Sequence, residues 1–139
     1  MGRREVILLD THVLVRYMRD EGKLGKRALS AIDRAVADDE LFISAISFWE
    51  VASLVARRRL ELSTTAAAFR DLALRNGARE QVTDGEIATL AGELPYTHGD
   101  PADRMLVATA ITRGLTLVTA DSVLLAWKLR GFRVRDATD

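Results

Sequence analysis

Cysteine is absent from this chain, which excludes disulfides, thiol catalysis and thiolate zinc sites. No apolar run approaches the roughly 20 residues of a membrane helix. The N-terminus Met1-Gly2-Arg3-Arg4 has no signal-peptide core behind it, so a cytoplasmic protein without membrane contact is the expectation. A surplus of either charge is also lacking, since 20 basic and 20 acidic residues cancel. A protein that holds nucleic acid by bulk charge would be basic, so any such binding here must use local arginines. Linkers and internal repeats are missing too. The 139 residues, 48% hydrophobic and 29% charged, fit one globular domain spanning residues 1–139, large enough to bury a core without staples.

What is present is organised around Val6-Ile7-Leu8-Leu9-Asp10-Thr11-His12. Four consecutive large apolar residues fit a strand buried on both faces, as in a parallel sheet. Helices and strands then alternate. Thr11 to Tyr17 is helical, and a second helix from Gly25 to Ala37 carries Leu29, Ile32 and Val36 on one face. Leu41 to Ile43 is a short strand followed by a helix to about Arg58. A helix from Thr65 to Arg75 ends at Asn76-Gly77, and Arg79 to Val82 is a weak strand. Asp84 to Leu94 is helical. Pro101 to Arg113 is a helix with Asp100 as N-cap and Gly114 at its end. Leu115 to Thr119 is a strand, Asp121 opens a helix to Leu129, and Phe132 to Val134 is a last edge strand. Such alternation predicts a three-layer α/β/α arrangement, a parallel sheet flanked by helices.

In that architecture ligands bind at the carboxyl edge of the strands, where crossover helices begin. Asp10 and Asp121 follow strands, Glu50 falls in the first turn of the helix after Leu41 to Ile43, and Asp103 falls in the first turn of the helix leading to Leu115. Each acid has a bland alternative. Asp10 and Asp121 are good N-caps, Asp103 suits the positive end of a helix, and Glu50 lies off the apolar stripe of Phe48, Val51, Ala52 and Val55. For all four together the bland reading needs a repeated coincidence on one sheet edge. Clustered carboxylates repel: at an effective dielectric of 20, two charges about 4 Å apart cost about 4 kcal/mol. A hard divalent cation, Mg²⁺ or Mn²⁺, relieves this and takes oxygen ligands. Such ions serve phosphodiester hydrolysis.

The chain resembles the PIN-domain ribonucleases, most nearly the VapC toxins of bacterial toxin–antitoxin pairs. The resemblance spans essentially the whole chain through four motifs: Leu8 to His12, Ile46 to Val51, His98 to Arg104 with the helix behind it, and Leu117 to Asp121. It implies a sheet ordered 3-2-1-4-5 and Mg²⁺- or Mn²⁺-dependent cleavage of RNA at an acidic site of Asp10, Glu50, Asp103 and Asp121. It places Asp103 at the metal and Asp100 outside, and Ser122 stands where many relatives carry a further acid. It also implies a VapB-like antitoxin encoded alongside, and a homodimer.

Further polar residues flank these acids. Thr11 and Thr119 are placed to orient a carboxylate or to bond backbone. His12 and His98 are placed to touch RNA or support the acids, and Arg104 to meet a phosphate. Arg57-Arg58-Arg59 ends a helix whose C-terminus should point away from the site, where basic residues are favoured anyway. Phe48, Trp49, Leu54 and Leu60 to Leu62 are either core or an exposed groove for an antitoxin's amphipathic segment. Rival classes are a PIN-like module with a dead site, used for RNA binding or interaction, and a receiver or phosphatase domain. Receivers want a lysine where Thr119-Ala120-Asp121 stands, and dehalogenase-like phosphatases want a second Asp where His12 stands.

Overall fold

The computed structural model describes residues 5–139, so the N-terminus Met1 to Arg4, expected to have no signal-peptide core behind it, lies outside the described residues. The opening apolar run forms β1 (Ile7–Leu9), with all three side chains buried. Alternation along the strand sends Ile7 and Leu9 into one core and Leu8 into the other. That is why the run has no polar position, and each such side chain contributes about 1.5–3 kcal/mol through burial.

In chain order the remaining elements are α1 (Thr11–Arg19), α2 (Lys26–Ala37), β2 (Leu41–Ser44), α3 (Ala45–Ala56), α4 (Ala66–Arg75), β3 (Arg79–Gln81), α5 (Gly85–Glu93), α6 (Pro101–Arg113), β4 (Thr116–Thr119), α7 (Ser122–Ala126) and β5 (Arg133–Asp136). The sheet is parallel throughout, in the order β3-β2-β1-β4-β5. Ile7 pairs with Leu41 on one side and Thr116 on the other, so β1 is central. Helices α1, α2, α3 and α4 cover the Ile7–Leu9 face, and α5, α6 and α7 cover the Leu8 face.

Helix α6 matches its predicted bounds. Asp100 accepts from the Asp103 N–H, Pro101 opens the helix, and Gly114 closes it at φ 67°. Leu106, Val107, Ala108 and Ala110 are all buried, which makes α6 the pillar of its layer. Three expectations shift. Leu29 is 38% exposed, because α2 buries Ala28, Ile32 and Ala35 instead. Helix α7 stops at Ala126 rather than Leu129. Trp127 turns extended there, and its side chain, with that of Leu129, packs on the Leu8-side core. Glu50 is the sixth residue of α3, one turn further in than expected, because the helix starts directly after β2. Among the described residues no helix is long and apolar enough to cross a membrane.

Candidate active site

Parallel pairing aligns the ends of β1 and β4, and the first acid follows from that alignment. The Asp10 N–H donates to the Val118 carbonyl at 3.0 Å, carrying the ladder one residue past β1. Its carboxylate is 3% exposed as a residue yet well held. Oδ1 accepts from the Thr11 N–H at 2.7 Å and Oδ2 from the Thr119 hydroxyl at 2.5 Å. The Thr119 Oγ1 also accepts from the Asp121 N–H at 3.0 Å, so one hydroxyl ties the two strand-end acids together. Asp121 caps α7, its Oδ1 accepting from the N–H groups of Val123 at 2.8 Å and Leu124 at 3.3 Å. Capping and site membership are therefore compatible. The bland reading of Asp10 and Asp121 is true and does not displace the other.

Asp10, Glu50, Asp103 and Asp121 line one cavity of about 220 Å³, with Thr11 and His12. The electrostatics there are those of crowded anions. Burial pushes the Asp103 carboxyl up to about 6, against a hydrogen bond from His98, and the charges of Asp10 and Asp100 add to the rise. Burial likewise raises Glu50, which a Thr11 hydrogen bond opposes and the charge of Asp10 reinforces. A divalent cation fits this donor set, because its charge would offset the burial, and after it the mutual repulsion, that raise two of the carboxyls.

The flanking residues fall into distinct roles. His12 Nε2 accepts from the Ala120 N–H at 3.0 Å and Nδ1 lies 3.4 Å from Asp10 Oδ2, so the ring bridges the β1 and β4 exits. The Thr11 hydroxyl donates to Ser47 Oγ at 3.0 Å. His98 Nε2 sits 2.7 Å from Asp103 Oδ2, and the donor atoms of His98, Asp103 and Asp121 lie within 4.8 Å of one another. Asp100 is an exposed cap outside the cavity, and Ser122 is an exposed residue in the first turn of α7.

Two arginines depart from expectation. Arg104 does not face a phosphate: it is 4% exposed. Its guanidinium donates to the carbonyls of Leu94 (2.6 Å), Pro95 (2.9 Å) and His98 (2.9 Å) and lies over the Tyr96 ring. The loop between α5 and α6 has carbonyls that no strand or helix pairs, and a buried arginine satisfies them. Arg59, expected to point away, lines the cavity with Val15, Leu54 and Leu60. The α3 terminus explains the reversal. Arg58 N–H donates to Val55 O at 3.0 Å and Arg59 N–H to Leu54 O at 2.8 Å, with Arg58 at φ 58°. This left-handed helix end, usually glycine, doubles the chain back over the α3 face that carries Glu50 and Leu54. A helix ending in three arginines without glycine was the available signal.

Comparison with known proteins bears on the whole arrangement. The model of the PIN domain family matches residues 7–126. The chain belongs to the PIN-domain family. Ribonuclease VapC22 of Mycobacterium tuberculosis is 34% identical over 115 residues, covering 83% of this chain and 86% of that protein. Among solved structures, VapBC2 of Rickettsia felis bound to a promoter DNA fragment is similar at a TM-score of 0.71 and 15% identity, over 94% of this chain and 97% of that one. FitAcB of Neisseria gonorrhoeae is similar at a TM-score of 0.58 and 26% identity, over 84% and 88%. The PIN fold thus brings the four motif acids of this chain onto one sheet edge. It also removes the receiver and dehalogenase-like alternatives.

Proposed function

We propose that this PIN-domain chain is a Mg²⁺- or Mn²⁺-dependent endoribonuclease, the toxin of a toxin–antitoxin pair. The observation that carries the reading is the single cavity into which Asp10, Glu50, Asp103 and Asp121 converge from four separate segments. RNA as substrate and the toxin role are supported by the relation to Ribonuclease VapC22. When bound, the cation would neutralise the carboxylates and activate water for in-line attack on a phosphodiester. The chain's own residues would do the rest. Asp10 and Asp121 are fixed through Thr119, so they present oxygen donors without reorganisation. Glu50, half-buried and with its carboxyl raised above the ordinary range by burial, would accept a proton more readily than a free glutamate. Arg59 stands at the same wall to meet a backbone phosphate. Single-stranded or loop RNA, whose backbone and bases can be splayed into a recess, is the substrate class we assign.

The partner is a VapB-like antitoxin. VapBC assemblies among the similar structures support this. So does Trp49, which is 61% exposed next to Glu50 on α3, while its neighbour Phe48 packs on the core. An amphipathic antitoxin segment laid along α3 would cover that indole beside the cavity. The chain would work in the cytoplasm, as a homodimer. The test is cleavage of single-stranded RNA by purified protein. Activity should require Mg²⁺ or Mn²⁺, vanish with EDTA and leave 5′-phosphate and 3′-hydroxyl ends. Cleavage that persists in EDTA, or leaves 2′,3′-cyclic phosphates, would refute the metal mechanism.

A further inference from the structure

Building on the metal-dependent reading above, we propose that His98 is a direct nitrogen ligand of the ion held by Asp103 and Asp121, and that it gives the site a preference for Mn²⁺ over Mg²⁺. The carboxylate set alone predicts an all-oxygen site. The structure adds an imidazole beside two of its members, Asp103 and Asp121.

The donors stand close enough for small side-chain rotations to bring them onto one ion. Donors bound at about 2.0–2.1 Å lie about 3 Å apart when adjacent and about 4 Å apart when opposite. His98 Nε2 is 2.7 Å from Asp103 Oδ2, and the donors of His98, Asp103 and Asp121 all fall within 4.8 Å. Imidazole and carboxylate share a hydrogen bond, and both would become ligands on binding an ion, with release of the proton between them.

The surroundings hold His98 both at its backbone and at its ring, as ligating residues are held. The buried Arg104 guanidinium donates to the His98 carbonyl itself at 2.9 Å and to two further carbonyls of the same loop. The Tyr96 ring lies against that guanidinium, 3.8 Å from its centre. The Trp127 ring packs on the imidazole with centroids 5.7 Å apart. Trp127 reaches this place because α7 stops early. The second histidine provides the contrast. His12 has its Nε2 occupied by the Ala120 N–H and its Nδ1 turned to Asp10, so it positions that acid and has no nitrogen to offer.

Nitrogen changes which ion is held. Mg²⁺ takes oxygen ligands and keeps its waters, whereas imidazole favours first-row transition ions. Mn²⁺, a first-row transition ion that also suits carboxylates, tolerates a nitrogen donor better than the harder Mg²⁺.

The experiment uses untagged full-length protein loaded with Mn²⁺ at fixed pH and read by pulsed electron paramagnetic resonance, with Mn²⁺ and Mg²⁺ affinities from calorimetry. The wild type should show ¹⁴N coupling from one imidazole. His98→Gln should abolish it, His12→Gln should retain it, and loss of the ligand should weaken Mn²⁺ binding by at least about tenfold while Mg²⁺ binding changes less. The spectrum of the wild type decides the ligand even if a variant folds poorly. Mn²⁺ bound without nitrogen coupling, or with coupling that survives His98→Gln, overturns the assignment of His98 and leaves the carboxylate site standing. Failure of the wild type to bind either ion overturns the metal-dependent reading together with it.

Discussion

Replacing Asp103 by Asn sets a metal-site carboxylate against a helix-supporting one, because the two roles predict opposite signs. The Asp103 carboxyl lies near 6 in the fold against its ordinary 3.8, raised chiefly by burial. The folded state therefore binds the proton more tightly than the unfolded chain, and wild-type stability falls as pH rises from about 4 to about 6. Once ionised without a cation, the group costs the fold about 3 kcal/mol. Asn stands in for the neutral form and recovers this at neutral pH, less about 1 kcal/mol for a weaker bond to His98. The net gain of about 2 kcal/mol corresponds to about 4–8 °C of melting temperature for a domain of this size. The assay is thermal melting of both proteins in EDTA at pH 4 and pH 7.5. The variant should melt higher at pH 7.5, and the gap should close at pH 4. With Mg²⁺ at 100 times its dissociation constant the wild type should gain about 2.7 kcal/mol and the variant little. If Asp103 only supports α6, losing its charge costs about 0.3–1 kcal/mol, and Asn melts lower at neutral pH. That result would refute the reasoning.

Arg104→Met should destabilise by about 3 kcal/mol or more, since it strands the carbonyls of Leu94, Pro95 and His98, and urea unfolding measures it. A fully stable variant with weakened RNA binding would restore Arg104 to phosphate contact. Arg59→Ala should raise KM for RNA several-fold with an unchanged melting temperature, because the side chain lines the cavity on an exposed turn; an unchanged KM would remove it from the site. Arg58→Gly should stabilise by about 1 kcal/mol by relieving the φ of 58°, and a lower melting temperature would contradict the strained helix end.

The sequence alone determined the parallel sheet, the burial of its first strand on both faces, and the edge that carries the acids. An unbroken apolar run forces a strand buried on both faces, as Ile7, Leu8 and Leu9 are. The Asp100-Pro101 start and Gly114 end of α6 are set by local backbone chemistry, so their bounds were legible. Asp10 and Asp121 were readable for the same reason: an acid directly after a parallel strand has one edge to occupy.

Tertiary structure decided what the loops do, because a loop side chain is placed by partners far away in sequence. Arg104 looked like a phosphate ligand until the unpaired carbonyls of the α5–α6 loop surrounded it. Arg59 looked remote until the left-handed turn at Arg58 folded it back onto α3. His98 and Trp127, 29 residues apart by number, meet where a helix with continuing apolar periodicity ends early and its extended continuation packs a half-buried indole on the core. Periodicity reports which face of an element is buried. It does not report which distant hydrogen-bond acceptors and rings will compete for the side chains between elements.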